Sequence, residues 1–188
     1  GIDMLFDFHE YTTAKQAQSM AHQMGAPGVL SELYGVTGWD YDFRGYKLQG
    51  DGQAALGVTL RVPHLSWLTM KGEAKRDYPA SISYQSPWWD QFSMVEDHFA
   101  RVNTALTRGK ARVTVGVLHP IESYWMLWGP GSQTRGAREQ MEEQFSGLCE
   151  YLLFGGIDFD YINEDYLSTQ PESGSAALKV GEGEYRVV

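Results

Sequence analysis

Short apolar runs alternate with amphipathic segments along the first 110 residues of the chain. The runs have the length of buried strands, and the segments between them space their apolar residues as a helix does. The predicted strands lie at 2–8, 29–31 and 58–67, and the predicted helices at 14–24, 47–56 and 91–107. Gly50 and Gly52 are expected to weaken the second helix by about 1 kcal/mol each. The alternation predicts a parallel α/β arrangement.

The pattern restarts after Arg112. A β-rich run at 112–120 ends at a proline turn, and an amphipathic helix follows at 137–154. Gly155 and Gly156 end that helix, and short strands are predicted at 159–162 and near Tyr185. This order is typical of the opening of a doubly wound domain.

The stretch from residue 29 to residue 46, V-L-S-E-L-Y-G-V-T-G-W-D-Y-D-F-R-G-Y, holds the strongest candidate chemistry. An apolar strand there delivers Glu32 into a loop rich in aromatic residues and glycine. A (β/α) barrel places its catalytic residues at the carboxyl ends of its strands in this way. Aromatic rings stack on the C–H faces of sugars, and a carboxyl group can act on a glycosidic bond. Glu32 is therefore a candidate nucleophile or acid/base, the alternative being a salt-bridged residue at a strand end.

A glycosidase needs a second carboxyl group. Glu10 also follows a strand-like run, so it is a candidate for that partner or for a substrate ligand. The alternative is that the acid/base lies outside this sequence. His64 ends the first run of residues in the next predicted strand, before L-S-W. It either hydrogen-bonds a sugar hydroxyl or the catalytic carboxylate, or is satisfied within the mouth of the barrel.

The aromatic loop supplies further candidates for substrate binding. Trp39 can serve as a stacking platform and Asp40 can accept hydrogen bonds from two adjacent hydroxyls, although Trp39 can equally pack within the loop. Tyr34 lies in the same loop and is a third candidate.

Three other segments carry residues of interest. Arg76 lies in M-K-G-E-A-K-R-D-Y-P, which forms either a lid or a solvated loop with a local ion pair. Trp88 follows Pro87 and is either a subsite wall or, preferably, an anchor for the start of a helix. His119 and Glu122 follow the run at 112–120, where they either face the barrel mouth or fix the turn between domains.

Charge and composition exclude several functions. The net charge is −9, and no basic stripe exists to neutralise phosphates, so nucleic acid is not expected as a partner. No apolar run reaches the roughly 20 residues that cross a bilayer. Cys149 is the single cysteine, which excludes an internal disulfide and favours a reducing compartment. The histidines are scattered and no nucleotide-binding motif occurs, so neither a metal nor a cofactor is expected.

The motifs S-E-L-Y-G-V-T-G-W at 31–39, G-V-T-L-R-V-P-H-L-S at 57–66, K-R-D-Y-P at 75–79 and V-L-H-P-I-E-S-Y-W at 117–125 carry a resemblance to known enzymes. In their order, the chain resembles bacterial glycoside hydrolases such as the family 42 β-galactosidases and their α-L-rhamnosidase-like relatives. The resemblance implies a (β/α)8 barrel followed by a flavodoxin-like domain. It also implies that Glu32, which closes strand seven of such a barrel, is the nucleophile; in relatives that invert, it is not.

The expected architecture is α/β throughout. Residues 1–110 are expected to form the C-terminal strands and helices of a (β/α)8 barrel, and residues 111–188 the start of a flavodoxin-like, parallel-sheet domain. The expected partner is a carbohydrate substrate, together with either further copies of the chain or the remainder of a longer polypeptide. The alternatives are a carbohydrate-binding or assembly domain without catalysis, and an independent α/β domain that binds a protein.

Overall fold

A computed structural model describes residues 10–73, 80, 82–168 and 177–188. The predicted strand at 2–8 lies outside these ranges. The chain divides into two compact units, residues 1–18 with 27–110 and residues 19–26 with 111–188. The helices are α1 (Glu10–Met24), α2 (Phe43–Ala55), α3 (Ser93–Leu106), α4 (Ile121–Met126), α5 (Gly131–Phe154) and α6 (Asp165–Ser168). The strands are β1 (Val29–Leu33), β2 (Val58–Pro63), β3 (Gly116–His119), β4 (Asp160–Asn163), β5 (Leu178–Val180) and β6 (Gly183–Tyr185).

The first unit contains a parallel pair of strands, β1 and β2, joined by α2. Leu30 lies opposite Leu60 and Glu32 lies opposite Val62 in the register. Parallel strands need a long crossover, and α2 supplies it. The mixed α/β class and the parallel pairing predicted from the sequence are confirmed.

One face of this strand pair packs against helices. Its buried side chains join those of α2 and α3 in a core built largely from aromatic rings, where Tyr46 lies edge-on to Tyr34 and Phe92 at centroid distances of 4.8 and 5.2 Å. The buried members of this core are Leu33, Tyr34, Tyr46, Ala80, Phe92, Val95 and Phe99.

The opposite face of the strand pair is open. Side chains alternate between the two faces of a strand, so Leu30 and Glu32 share a face with Leu60 and Val62. The three apolar residues are 40%, 56% and 40% exposed, respectively. Parallel sheets are normally covered on both faces, which makes this exposed apolar face unusual.

Three helices begin earlier than their apolar patterns predict, and α1, which is helical from Glu10, is one of them. Helix α2 starts at Phe43 because Asp42 caps it: the Asp42 side chain accepts hydrogen bonds from the backbone N–H groups of Arg44 and Gly45. Asp is a preferred N-cap residue, and its carboxylate also interacts favourably with the helix dipole. Helix α5 starts at Gly131, directly after Pro130. Its first turn carries polar residues, so hydrophobic periodicity alone could not reveal it.

The second unit holds a parallel pair, β3 with β4, and an antiparallel hairpin, β5 with β6. Helix α5 lies between β3 and β4 in the chain. Val117 of β3 and Cys149 of α5 pack with Phe159 and Tyr161 in one apolar cluster. A second cluster joins Ile162 to the hairpin. The predicted strands near 159–162 and Tyr185 are thus present.

A buried polar network in the second unit ties the last turn of α1 to β4 and β6. The carboxylate of Asp160, which is only 1% exposed, lies 2.9 Å from His22 Nδ1 and accepts a hydrogen bond from the Tyr185 hydroxyl at 3.0 Å. Gln23 donates to the same hydroxyl and to the carbonyl of Tyr161. A buried carboxylate requires such partners, and the network supplies them.

Candidate functional site

Glu32 lies one residue before the end of β1, on the open face of the strand pair and partly exposed. Leu30, Leu60 and Val62 form the apolar surface beside it. The adjacent residues, Ser31 and Leu33, are buried on the helix-covered face. The alternation of the strand therefore presents the Glu32 carboxyl group at the carboxyl edge of the sheet, as the sequence pattern predicts.

His64 follows β2 at the same edge. Its backbone N–H donates to the carbonyl of Leu33 at 2.7 Å, which extends the parallel ladder by one step. Because Glu32 lies opposite Val62, two residues before His64, the Cα atoms of Glu32 and His64 are about 8 Å apart by ideal strand geometry. The peptide bond between His64 and Leu65 is cis.

The loop after Glu32 contains two unusual backbone conformations. Tyr34 has φ 75° and Val36 has φ 62°, and within the described ranges these are the only non-glycine residues with positive φ. Left-handed backbone is disfavoured for residues with a side chain, most of all for a β-branched one such as Val36. The Thr37 hydroxyl donates to the Tyr34 carbonyl at 2.6 Å and so closes the turn.

Tyr34 does not line the open face. Its side chain is 0% exposed, and its hydroxyl accepts a hydrogen bond from Arg61 Nη1 at 3.0 Å. Burial raises the pKa of Tyr34, and the neighbouring Arg61 charge works in the opposite direction. This position leaves Tyr34 no surface for a substrate. An aromatic residue at this position could have stacked on a sugar or filled the hydrophobic core. Only the packing of the folded chain shows that Tyr34 belongs to the core.

Arg61 has a structural role beside the candidate site. The sequence pattern did not identify it. It lies over the ring of Phe99, 3.9 Å from the centroid, and its Nη2 lies 2.9 Å from Glu96 of α3. A cation over an aromatic face is favourable when both are shielded from water. Arg61 thus connects β2, Tyr34 and α3 beneath the loop that follows Glu32.

Trp39 lies at the surface of that loop, 48% exposed, and Asp40 beside it is exposed. The indole of Trp67, from the segment after β2, packs edge-on against Trp39 with centroids 4.8 Å apart and an interplanar angle of 63°. The segments that follow β1 and β2 therefore meet through this pair of rings. Trp67 is only 6% exposed and was not among the predicted site residues.

The remaining predicted residues have different surroundings. Glu10 begins α1 and accepts a hydrogen bond from Gln53 of α2 at 2.9 Å. Trp88 is partly exposed and directly precedes a 3₁₀ turn at Trp89–Gln91, where it caps no helix through its side chain. Arg76 lies outside the described residues.

In the second unit, His119 ends β3 and is half-buried between the rings of Phe145 and Tyr161, with centroids 4.9 and 5.4 Å away. Burial lowers the pKa of His119.

Glu122 follows in α4, and the negative charge of Asp165 raises the pKa of Glu122. Glu164 accepts hydrogen bonds from Ser123, which lower the pKa of Glu164. The hydrogen bonds that Glu164 accepts from Ser123 and from the backbone N–H of Glu122 anchor the start of α4.

The described part of the chain contains neither a cluster of metal-ligating side chains nor a membrane-spanning helix. Within residues 10–73, 80, 82–168 and 177–188, no three His, Cys, Asp or Glu side chains come together as a metal site would require. In the same ranges, no helix has both the length and the apolar character needed to cross a membrane.

Comparisons with protein-family models, with curated proteins and with solved structures gave no significant match. The functional argument therefore rests on the residues themselves.

Proposed function

We propose that this chain is part of a glycoside hydrolase that cleaves O-glycosidic bonds, with Glu32 as the nucleophile or the acid/base. The observation that carries the proposal is the position of Glu32. It stands at the carboxyl end of a parallel strand, on an open apolar face, directly before a loop with two left-handed non-glycine residues. Backbone outliers of this kind concentrate at functional sites, and barrel enzymes use this strand end for catalysis.

A (β/α)8 barrel is the finer fold that we propose for the first unit. In such a barrel, helices cover the outer face of every strand and apolar side chains fill the interior. The β1–β2 pair has helices on one face and exposes Leu30, Leu60 and Val62 on the other. Further strands of a longer polypeptide would complete the barrel and bury those side chains. For the second unit we propose a flavodoxin-like domain, which the parallel β3–β4 pair and α5 support.

The proposed chemistry follows the two-carboxylate scheme of glycosidases. In a retaining enzyme, Glu32 attacks the anomeric carbon as the glycosidic C–O bond breaks, and the leaving oxygen takes a proton from a second carboxylic acid. The resulting carboxylate then takes a proton from water, which releases the sugar from Glu32. In an inverting enzyme, Glu32 is either the acid that protonates that oxygen or the base that activates water. His64 can hydrogen-bond either the substrate or Glu32, because its segment follows the neighbouring strand at the same edge.

Replacement of Glu32 by Gln in the natural, full-length protein tests this function. The amide keeps the size of the side chain but cannot act as a nucleophile or transfer a proton, so hydrolysis of alkyl glycosides, whose poor leaving groups need acid assistance, should fall by about 10²–10⁴-fold. Glu139→Gln, an exposed change on α5, is the matched control and should retain the native rate. An unchanged rate in Glu32→Gln would remove Glu32 from catalysis.

One observation favours the alternative of a carbohydrate-binding domain without catalysis. Glu10, the other acidic candidate, is engaged by Gln53 of α2, which gives its carboxylate a structural role. The same experiment separates the two functions. If the full-length protein binds glycosides but does not cleave them, and Glu32→Gln leaves binding intact, the binding function is the correct one.

A further inference from the structure

We propose that Trp67 is a positioning residue that holds Trp39 as a preformed stacking platform for the C–H face of a pyranose ring. This inference rests on the proposed function, because it assigns the aromatic wall of the same site. The sequence pattern did not identify Trp67 as a site residue. Its contact with Trp39 also gives a physical reason for the orientation of the Trp39 ring.

The first step of the argument is the contrast in burial between the two rings. Trp39 is 48% exposed, so a large part of its indole can meet a ligand, whereas Trp67 is only 6% exposed and cannot. Their centroids lie 4.8 Å apart at 63°, which is the edge-to-face geometry that aromatic pairs prefer. Trp67 therefore fixes the tilt of the Trp39 ring and does not itself offer a surface.

The second step is that the backbone on each side of the pair is fixed by hydrogen bonds. Gln85 donates from Nε2 to the Trp67 carbonyl at 2.7 Å. The segment before Trp67 is held as well, since the Leu65 carbonyl accepts from the backbone N–H of Ile82 at 3.0 Å. On the other side, Asp42 caps α2 three residues after Trp39. A platform between such anchors loses little conformational freedom on binding.

The third step is the class of ligand. The exposed Trp39 and the exposed Asp40 that follows it in the chain suit a molecule with one apolar face and polar hydroxyls at its rim. Pyranose rings have this distribution, and a carboxylate can accept hydrogen bonds from their hydroxyls. The chemistry therefore points to a neutral pyranoside.

The test uses the full-length protein labelled with 5-fluorotryptophan, with the Trp39 signal assigned from Trp39→Phe. In the free protein, Trp67→Leu should change the ¹⁹F chemical shift of Trp39, because the aromatic edge against that ring is lost. Trp67→Phe keeps an aromatic edge and should restore much of the native shift. Should Trp67→Leu fail to fold, Gln85→Ala, which removes the hydrogen bond to the Trp67 carbonyl, serves as the milder perturbation of the same element.

Binding is measured with methyl β-D-galactopyranoside, methyl β-D-glucopyranoside and methyl α-L-rhamnopyranoside in the Glu32→Gln background, where hydrolysis does not interfere. Trp39→Ala should weaken binding of the preferred glycoside about tenfold, and Trp67→Leu about threefold to tenfold. Trp89→Ala is the matched control: Trp89 is 43% exposed and stacks on Phe92, yet lies in a different segment, so its loss should leave affinity unchanged.

The outcomes separate this inference from the proposed catalysis. If hydrolysis depends on Glu32 but Trp67→Leu and Gln85→Ala leave both the Trp39 signal and affinity as in the native protein, the platform is overturned while catalysis stands. If Glu32→Gln retains full hydrolysis while binding depends on Trp39 and Trp67, the platform stands without the assigned nucleophile. Absence of binding of all three methyl glycosides to the native protein would overturn the ligand class.

Discussion

Tyr34 and Val36 adopt the least favourable backbone conformations in the candidate site. A non-glycine residue in a sparsely populated backbone region costs on the order of 1–3 kcal/mol. For Tyr34, burial in the aromatic core and the hydrogen bond from Arg61 offset this cost. Val36 is half exposed and packs little, so its conformation depends on the loop around it. The loop after Glu32 thus has a backbone conformation that its residues disfavour intrinsically and that the surrounding structure maintains.

At the residue scale, the pH response of His119 can be predicted. Burial lowers the pKa of His119 below its usual 6.5, so the folded state favours the neutral ring. The unfolded chain then binds more protons, and the second unit should lose stability as the pH falls from 6.5 through the lower folded pKa. The stabilising contribution is fully present above pH 6.5. An NMR titration of the His119 ring should give a midpoint below 6.5.

The stability change is measured as the urea midpoint reported by NMR signals of β3 and β4, at pH values on either side of that window. His119→Gln removes the titrating ring and should flatten the dependence. A His119 midpoint at or above 6.5 would contradict the prediction.

At the scale of elements, Gly50 and Gly52 both reduce the helix propensity of α2, but only Gly50 is required for the packing of α2 against α3. A Cβ at Gly50 would overlap the ring of Phe99 on α3, so this glycine allows the two helices to approach closely. A Cβ at Gly52 would meet no heavy atom within 4 Å. The sequence indicates that both weaken the helix, but only the packing shows that one of them is required.

Gly50→Ala should therefore destabilise the first unit by about 1–3 kcal/mol, because the added methyl group overpacks the interface. Gly52→Ala should stabilise it by about 0.5–1 kcal/mol through improved helix propensity. Urea unfolding followed by circular dichroism measures both changes. Equal effects of the two substitutions would show that propensity alone governs this helix.

At the scale of the whole molecule, the open face of β1 and β2 is the feature that demands an explanation. Within the described residues, this sheet has two strands, and its exposed face carries Leu30, Leu60 and Val62. Unpaired strand edges and uncovered apolar faces promote association with other chains. The barrel that we propose would remove both features by supplying further strands.

The 188-residue chain in isolation is accordingly expected to self-associate through this face. Leu60→Lys should weaken the association by about tenfold, since it removes roughly one buried leucine from each contact. Leu48→Lys on α2 is the control, because Leu48 is exposed on a helix that packs against the opposite face of the strand pair. Analytical ultracentrifugation over a range of concentrations measures both. Equal association constants for the native chain and Leu60→Lys would exclude the face as the contact.

The sequence by itself determined the α/β class, the order of most helices and strands, and the position of Glu32 at a strand end. These features follow from local periodicity, since a helix and a strand repeat their apolar residues differently. The sequence also marked Trp39 and His64, because both lie in segments that directly follow apolar runs. The glycosidase function and the barrel stay proposals that these features support.

Only the tertiary structure decided which aromatic residues are core and which are surface. Tyr34 and Trp39 occupy the same loop and look equally suited to a sugar, yet one is buried against Arg61 and the other is exposed. Trp67 acquires its role solely from contact with a ring 28 positions earlier in the chain. Such contacts join residues distant in sequence and depend on side-chain shape, so no local pattern records them.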